Sequence, residues 1–170
     1  VGALYILPAN VNSYGNLILT AKGGDNLVLP NRSDLVIHGN LICTGDETTA
    51  WVTMCWNTNI WPYYSADYDP TLEKTVHITG NLYINTGSFE FFNDEAAQHL
   101  IVDGNLVVAN GAVLEQNNDY PFSNPIVINT LLIGGSLINN GTVNLWPATG
   151  RTDVTFFSSN SAFITNTEGN

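Results

Sequence analysis

Val76-His77-Ile78-Thr79-Gly80-Asn81-Leu82-Tyr83-Ile84 and Leu100-Ile101-Val102-Asp103-Gly104-Asn105-Leu106-Val107-Val108 are two copies of one phrase. Each joins two short apolar runs through Gly-Asn. Each is followed by a second glycine, Gly87 or Gly111, and another β-rich run. Further copies lie on either side. Leu35 to Cys43 is centred on Gly39-Asn40, and Leu131 to Asn139 has Ser136 in place of asparagine. Ser13 to Leu19 is a fifth copy with a weaker first half. Subtracting successive glycine positions (15, 39, 80, 104, 135) gives steps of 24, 41, 24 and 31. Two equal steps and two longer ones predict a fixed coil of about 24 residues, with insertions on some turns.

Successive strand residues face opposite sides, so the alternation inside each copy assigns the inward rows. Before the glycine these are Leu35/Ile37, Val76/Ile78, Leu100/Val102 and Leu131/Ile133. After it they are Leu17/Leu19, Leu41/Cys43, Leu82/Ile84, Leu106/Val108 and Leu137/Asn139. Phe89/Phe91, Val143/Leu145 and Leu27/Leu29 supply a third side. Gly-Asn is expected to turn the corner, glycine through positive φ and asparagine through αL and a bond to its own backbone. Three strands and three corners per turn describe an all-β fold, a right-handed parallel β-helix of about five to six coils. A single domain over residues 1–170 accommodates it.

Charged residues make up 11% of the chain, well under half the usual share, and 23 asparagines carry much of the polar surface instead. The net charge of −11 reflects only four Lys and Arg. Lys22, Arg32, Lys74 and Arg151 are scattered, which argues against nucleic acid as a partner. An anionic membrane would repel the chain, and no apolar run approaches the length of a transmembrane helix. Val1 in place of an initiating methionine is expected for an exported mature chain or a trimmed one. Low lysine, abundant Asn, Thr and Gly, and repeats together predict an extracellular or cell-surface protein.

The 41-residue step predicts a protruding insertion over residues 44–70. It holds Trp51, Trp56, Trp61, Tyr63, Tyr64 and Tyr68 with Asp46, Glu47, Asp67 and Asp69. That set makes either a local second core or an aromatic platform for sugar rings. Asp67 and Asp69 are weak calcium candidates, as is the pair Asp94-Glu95. Cys43 and Cys55, the only cysteines, leave two states open: a disulfide tying the insertion to the coil, or a small free thiol in the inward row. His38, His77 and His99 lack metal-ligand spacing and are expected to be solvated surface residues, and no cofactor is expected. Asn31-Arg32-Ser33 and Asn140-Gly141-Thr142 are glycosylation acceptors only in a glycosylating source. Residues 1–10 and 147–170 are expected to be end caps or assembly strands.

A second set of apolar residues points outward. Ile18, Ile42, Tyr83, Val107 and Ile138 stand three after each glycine. Val36, Ile101 and Leu132 stand three before it, with His77 in the same place. Strands apolar on both faces are covered on both. Either the 44–70 insertion or a partner subunit is expected to cover these rows; in the latter case they mark, with Leu4 and Ile6 of the apolar N-terminal segment, an interface for self-association, head-to-tail or lateral.

The Gly-Asn-Leu phrase, the short β runs and the Asn/Thr/Gly surface over residues 11–146 resemble repeat regions of bacterial surface proteins: adhesins, autotransporter passenger domains and secreted β-helical proteins. The resemblance implies a non-catalytic extracellular module for adhesion or assembly and carries over no site residue. A fainter likeness is to bactofilins, β-helices that polymerise end to end, whose short regular coils the insertions here do not match. The competing expectation is a carbohydrate-binding or carbohydrate-active β-helix using the 44–70 insertion. Its candidate carboxylates, Asp46, Glu47, Asp67 and Asp69, fall in one segment rather than on adjacent coils.

Overall fold

The computed structural model describes residues 3–29, 34–45, 51–54, 73–91, 96–116, 127–147 and 150–166. Every regular element among them is a strand, and the strands follow one another in threes. The first coil is β1 (Leu4–Ile6), β2 (Ser13–Tyr14) and β3 (Leu17–Ala21). The second is β4 (Asn26–Val28), β5 (Leu35–Ile37) and β6 (Leu41–Gly45). The third is β7 (Trp51–Thr53), β8 (Lys74–Ile78) and β9 (Leu82–Ile84). The fourth is β10 (Ser88–Phe91), β11 (Gln98–Val102) and β12 (Leu106–Val108). The fifth is β13 (Val113–Gln116), β14 (Ile128–Ile133) and β15 (Leu137–Asn139). The sixth is β16 (Thr142–Asn144), β17 (Arg151–Phe156) and β18 (Ile164–Asn166).

Equivalent strands stack into three six-stranded sheets: sheet A from the first strand of each coil, sheet B from the second, sheet C from the third. All the pairings are parallel, and the copies of the repeat stand opposite one another. Leu41, Leu82, Leu106 and Leu137 are successive partners in sheet C. Leu35, Val76, Leu100 and Leu131 are successive partners in sheet B. The fold is a parallel β-helix, and its ladders satisfy the backbone groups that a buried extended chain would otherwise leave unpaired. The inward rows form one core in which Leu35, Ile37, Leu41, Ile78, Leu82, Ile84, Phe89, Leu100 and Leu106 are wholly buried.

The Gly-Asn corner works differently from the sequence expectation. Positive φ occurs at Gly23, Gly24, Gly87 and Gly111 and at no other described residue. Gly39, Gly80, Gly104 and Gly135 are required by crowding instead. A Cβ at Gly104 would meet Asn81 Oδ1 at 2.5 Å and Gly80 O at 2.6 Å, and one at Gly135 would meet Asn105 Oδ1 at 2.5 Å. The asparagine bonds the next coil rather than its own backbone. Asn40 N donates to Asn16 Oδ1 (2.8 Å), Asn81 N to Asn40 Oδ1 (2.8 Å), Asn105 N to Asn81 Oδ1 (2.7 Å) and Ser136 N to Asn105 Oδ1 (2.8 Å). Phe163 N then donates to Ser136 Oγ, which continues the ladder into the sixth coil. An asparagine amide on each of the first four coils, then the Ser136 hydroxyl on the fifth, therefore runs up the edge between sheets B and C, and the glycine leaves room for it.

The 44–70 segment is not a single insertion. Thr44 and Gly45 complete β6, and Trp51–Thr53 is a strand of sheet A between β4 and β10. Val52 faces Leu27 and Phe89 in the core, and Met54 is fully buried. Aromatic crowding hides this strand in the sequence, because Trp51 reads with Trp56 and Trp61 rather than with Val52.

The inward rows of sheet B also extend one place further than apolar patterning reveals. Lys74, Gln98, Asn129 and Thr152 are buried at that position on successive coils. Asn129 Nδ2 and Thr152 Oγ1 both donate to Gln116 Oε1, at 2.7 and 2.8 Å. Gln98 N donates to Asn129 Oδ1 (2.8 Å), and Lys74 Nζ to Met54 O. Buried polar groups are tolerated when bonded in this way.

The three edges of the stack carry different traffic. In the first five coils sheet B passes to sheet C through the short Gly-Asn or Gly-Ser corners, and in the sixth through residues 157–163. Sheet C passes to sheet A through turns such as Asn85–Gly87 and Ala109–Ala112. The long connections, 54–73 and 117–127 among them, all join a strand of sheet A to the next strand of sheet B. They leave from the edge opposite sheet C.

Candidate interaction surface

The outward row of sheet C is continuous. Ile18 stands opposite Ile42, Ile42 opposite Tyr83, Tyr83 opposite Val107 and Val107 opposite Ile138; Thr165 follows in the sixth coil. The strict two-residue alternation that buries Leu17/Leu19 and their equivalents forces the residue between them outward. Ile18 is 62% exposed and the other four are half-buried. The five residues expected to mark an interface thus form one file along one face. Leu4 and Ile6 belong elsewhere, on the outer side of β1 in sheet A, where β1 pairs with β4 of its own chain. Ile6 is 36% exposed.

Sheet B has a different outer face. Val36, His77, Ile101 and Leu132 form one row, and Thr75, His99, Thr130 and Asp153 form the next. His77 and His99 are not simply solvated. His77 Nε2 lies 3.0 Å from both carboxylate oxygens of Asp103. His99 Nδ1 lies 2.8 Å from Thr130 Oγ1 and its Nε2 lies 3.5 Å from Glu73 Oε2. Each side chain bridges neighbouring coils, a role that spacing along the chain does not reveal but the 24-residue register does. Exposed pairs of this kind contribute modestly to stability. His38 is exposed. In the last coil, Arg151 forks onto Asp153, with Nη2 donating to Oδ2 at 2.7 Å, and its guanidinium lies 4.6 Å from the Trp146 ring centre. Hydrogen bonding to Arg151 holds the Asp153 carboxyl below its ordinary range and pushes the guanidinium further up.

Trp51 sits on the outer side of sheet A, 36% exposed, where the chain approaches the long connection to β8. Trp56, Trp61, Tyr63, Tyr64, Cys55 and the calcium candidates Asp67 and Asp69 lie outside the described residues, as do Asp94 and Glu95. Among the described residues no group of three or more His, Cys, Asp or Glu is arranged to hold a metal. Cys43 is a free thiol buried between Leu19 and Ile84 in the inward row of sheet C, and burial pushes its pKa far up. No helix of the described residues is long and apolar enough to cross a membrane.

Comparison with known proteins returns no matching family model, no matching curated protein and no matching solved structure.

Proposed function

We infer that this chain is a non-catalytic structural and adhesive module of an extracellular surface. The observation that carries the reading is the construction of the stack. Asparagine amides at the corners of the first four coils, each bonded to the next coil, and apolar rows in register make a rod, while the two longest connections leave from a single edge of it. A rod that presents variable segments along one edge suits display better than catalysis, which asks for a rigid constellation of acid, base or nucleophile. The low charge and the amide-rich surface support an extracellular setting.

A second reading, neutral-glycan binding, is favoured by one observation. The exposed Trp51 ring stands beside a connection whose sequence holds Trp56, Trp61, Tyr63 and Tyr64. Two measurements separate these readings. Reducing-sugar release from a panel of polysaccharides should remain at background; sustained release would overturn the non-catalytic reading. Binding to an array of immobilised neutral glycans should be absent for a purely structural module. Saturable binding that is lost in Trp51→Ala would make the chain a carbohydrate-binding module instead.

A further inference from the structure

Sheet C differs from its two neighbours in charge. Its six strands contain no Asp, Glu, Lys or Arg. On sheet A, Glu90 is buried and Glu115 is half-buried; on sheet B, Lys74 is buried and Arg151 pairs with Asp153 in the last coil. In a chain of net charge −11, sheet C is thus the one sheet whose described strands carry no formal charge at all. It is also the face opposite the edge from which the long connections leave, and it bears the file Ile18, Ile42, Tyr83, Val107, Ile138.

The order of that file is close to palindromic: two aliphatic residues, one aromatic, two aliphatic residues, at equal spacing along the stack. A two-fold axis through the central rung superposes such a file on itself with its direction reversed. We propose that sheet C is a face-to-face contact with a second copy of this chain, the two stacks running antiparallel about an axis at Tyr83. Ile18 then meets Ile138 of the partner subunit, Ile42 meets Val107 of the partner subunit, and the two Tyr83 rings meet on the axis. An isologous contact of this kind closes at two copies. Sheets pack face to face about 10 Å apart, a distance that aliphatic and aromatic side chains fill from both sides.

Charge favours a second copy as the occupant. Two chains of −11 repel, and sheet C is the face that lets them touch without bringing carboxylates together. Size sets the strength. Five rungs span four inter-strand steps, roughly 19 Å, so each copy buries well under the ~800 Å² of a standard interface. The dimer is accordingly weak and reversible, and it strengthens with salt as the net charge is screened. The pairing goes beyond the structural-module reading and holds whether or not the chain binds glycans.

Sedimentation equilibrium of the whole chain from about 10 µM to about 1 mM, in low and high salt, tests it. The expected result is a monomer–dimer equilibrium, stronger in high salt, that stops at two. Val107→Asp should remain monomeric throughout with an unchanged circular dichroism spectrum, whereas Ile101→Asp on sheet B should dimerise as the parent does. Crosslinking with a short bis-maleimide in a Cys55→Ser background reads the geometry, since sheets about 10 Å apart are too far for a direct disulfide. Tyr83→Cys should crosslink to itself, and Ile18→Cys should crosslink to Ile138→Cys but not to itself. A parent that stays monomeric at the highest concentration, a Val107→Asp chain that still dimerises, or self-crosslinking of Ile18→Cys would each overturn the proposal. None of these outcomes bears on sugar release or glycan binding, which test the structural-module reading separately.

Discussion

At Gly104 the first carbon of any side chain would collide with the amide of Asn81 and the carbonyl of Gly80. Gly15 occupies the same place in the repeat, yet nothing lies within 4 Å of its added Cβ, because no coil sits beneath it. The two positions therefore make a paired prediction. Gly104→Ala should destabilise by about 1–3 kcal/mol, the range for forcing atoms into a packed site. Gly15→Ala should be neutral or stabilising by up to about 1 kcal/mol, through the unfolded chain. Denaturant unfolding of both variants measures the difference. Cys43 supports a second prediction. Its folded pKa is raised, so the neutral thiol is held in the native state while the unfolded thiol ionises at its ordinary pKa. Stability should be full below that ordinary pKa and should fall as pH rises beyond it, by about 1.4 kcal/mol per pH unit. The same burial should leave Cys43 unreactive toward a thiol reagent in native protein. Mass spectrometry of labelled peptides checks the reactivity, and alkaline unfolding curves check the slope. These single positions show where sequence reading stops. Gly-Asn was legible as a corner, but two physical reasons fit it, permissive dihedrals and crowding. Only the placement of one coil on the next distinguishes them.

The strands were legible to the extent that their inward residues were apolar. Leu106, between Leu82 and Leu137 in sheet C, is wholly buried as its alternation requires. Leu106→Ala should cost about 2–5 kcal/mol in urea or thermal unfolding. A loss below about 1 kcal/mol would mean that the neighbouring rungs collapse into the space. β7 was missed because Trp51 and Thr53 flank a single core valine, and three tryptophans in eleven positions dominate that stretch. The polar extension of the sheet B rows was missed for a related reason. Lys74, Gln98, Asn129 and Thr152 lie inside, held by hydrogen bonds that hydropathy does not register. The interface file of sheet C was legible because Ile18, Ile42, Tyr83, Val107 and Ile138 keep one offset from the corner glycine. The His77–Asp103 bridge was not, since its partners are 26 residues apart and meet only through the stacking register.

The six coils behave as one rod whose terminal turns are unlike the rest. Val154 and Ile164 continue the inward rows of Leu131 and Leu137 into the sixth coil, yet they are 38% and 70% exposed. Charges balance at both terminal turns, Lys22 against Asp25 and Arg151 against Asp153, so the net negative charge lies between them and in the tail. The placement of the long connections has a consequence for descent. In the first five coils the passage from sheet B to sheet C takes two or three residues and is held by the corner ladder, and the turns from sheet C to sheet A take two to five. The connections from sheet A to sheet B run from six residues to twenty, with the strands still in register. Insertions and deletions should survive selection along that one edge and be purged from the other two, so the lineage would diversify along a single line of its surface while the opposite face stays fixed.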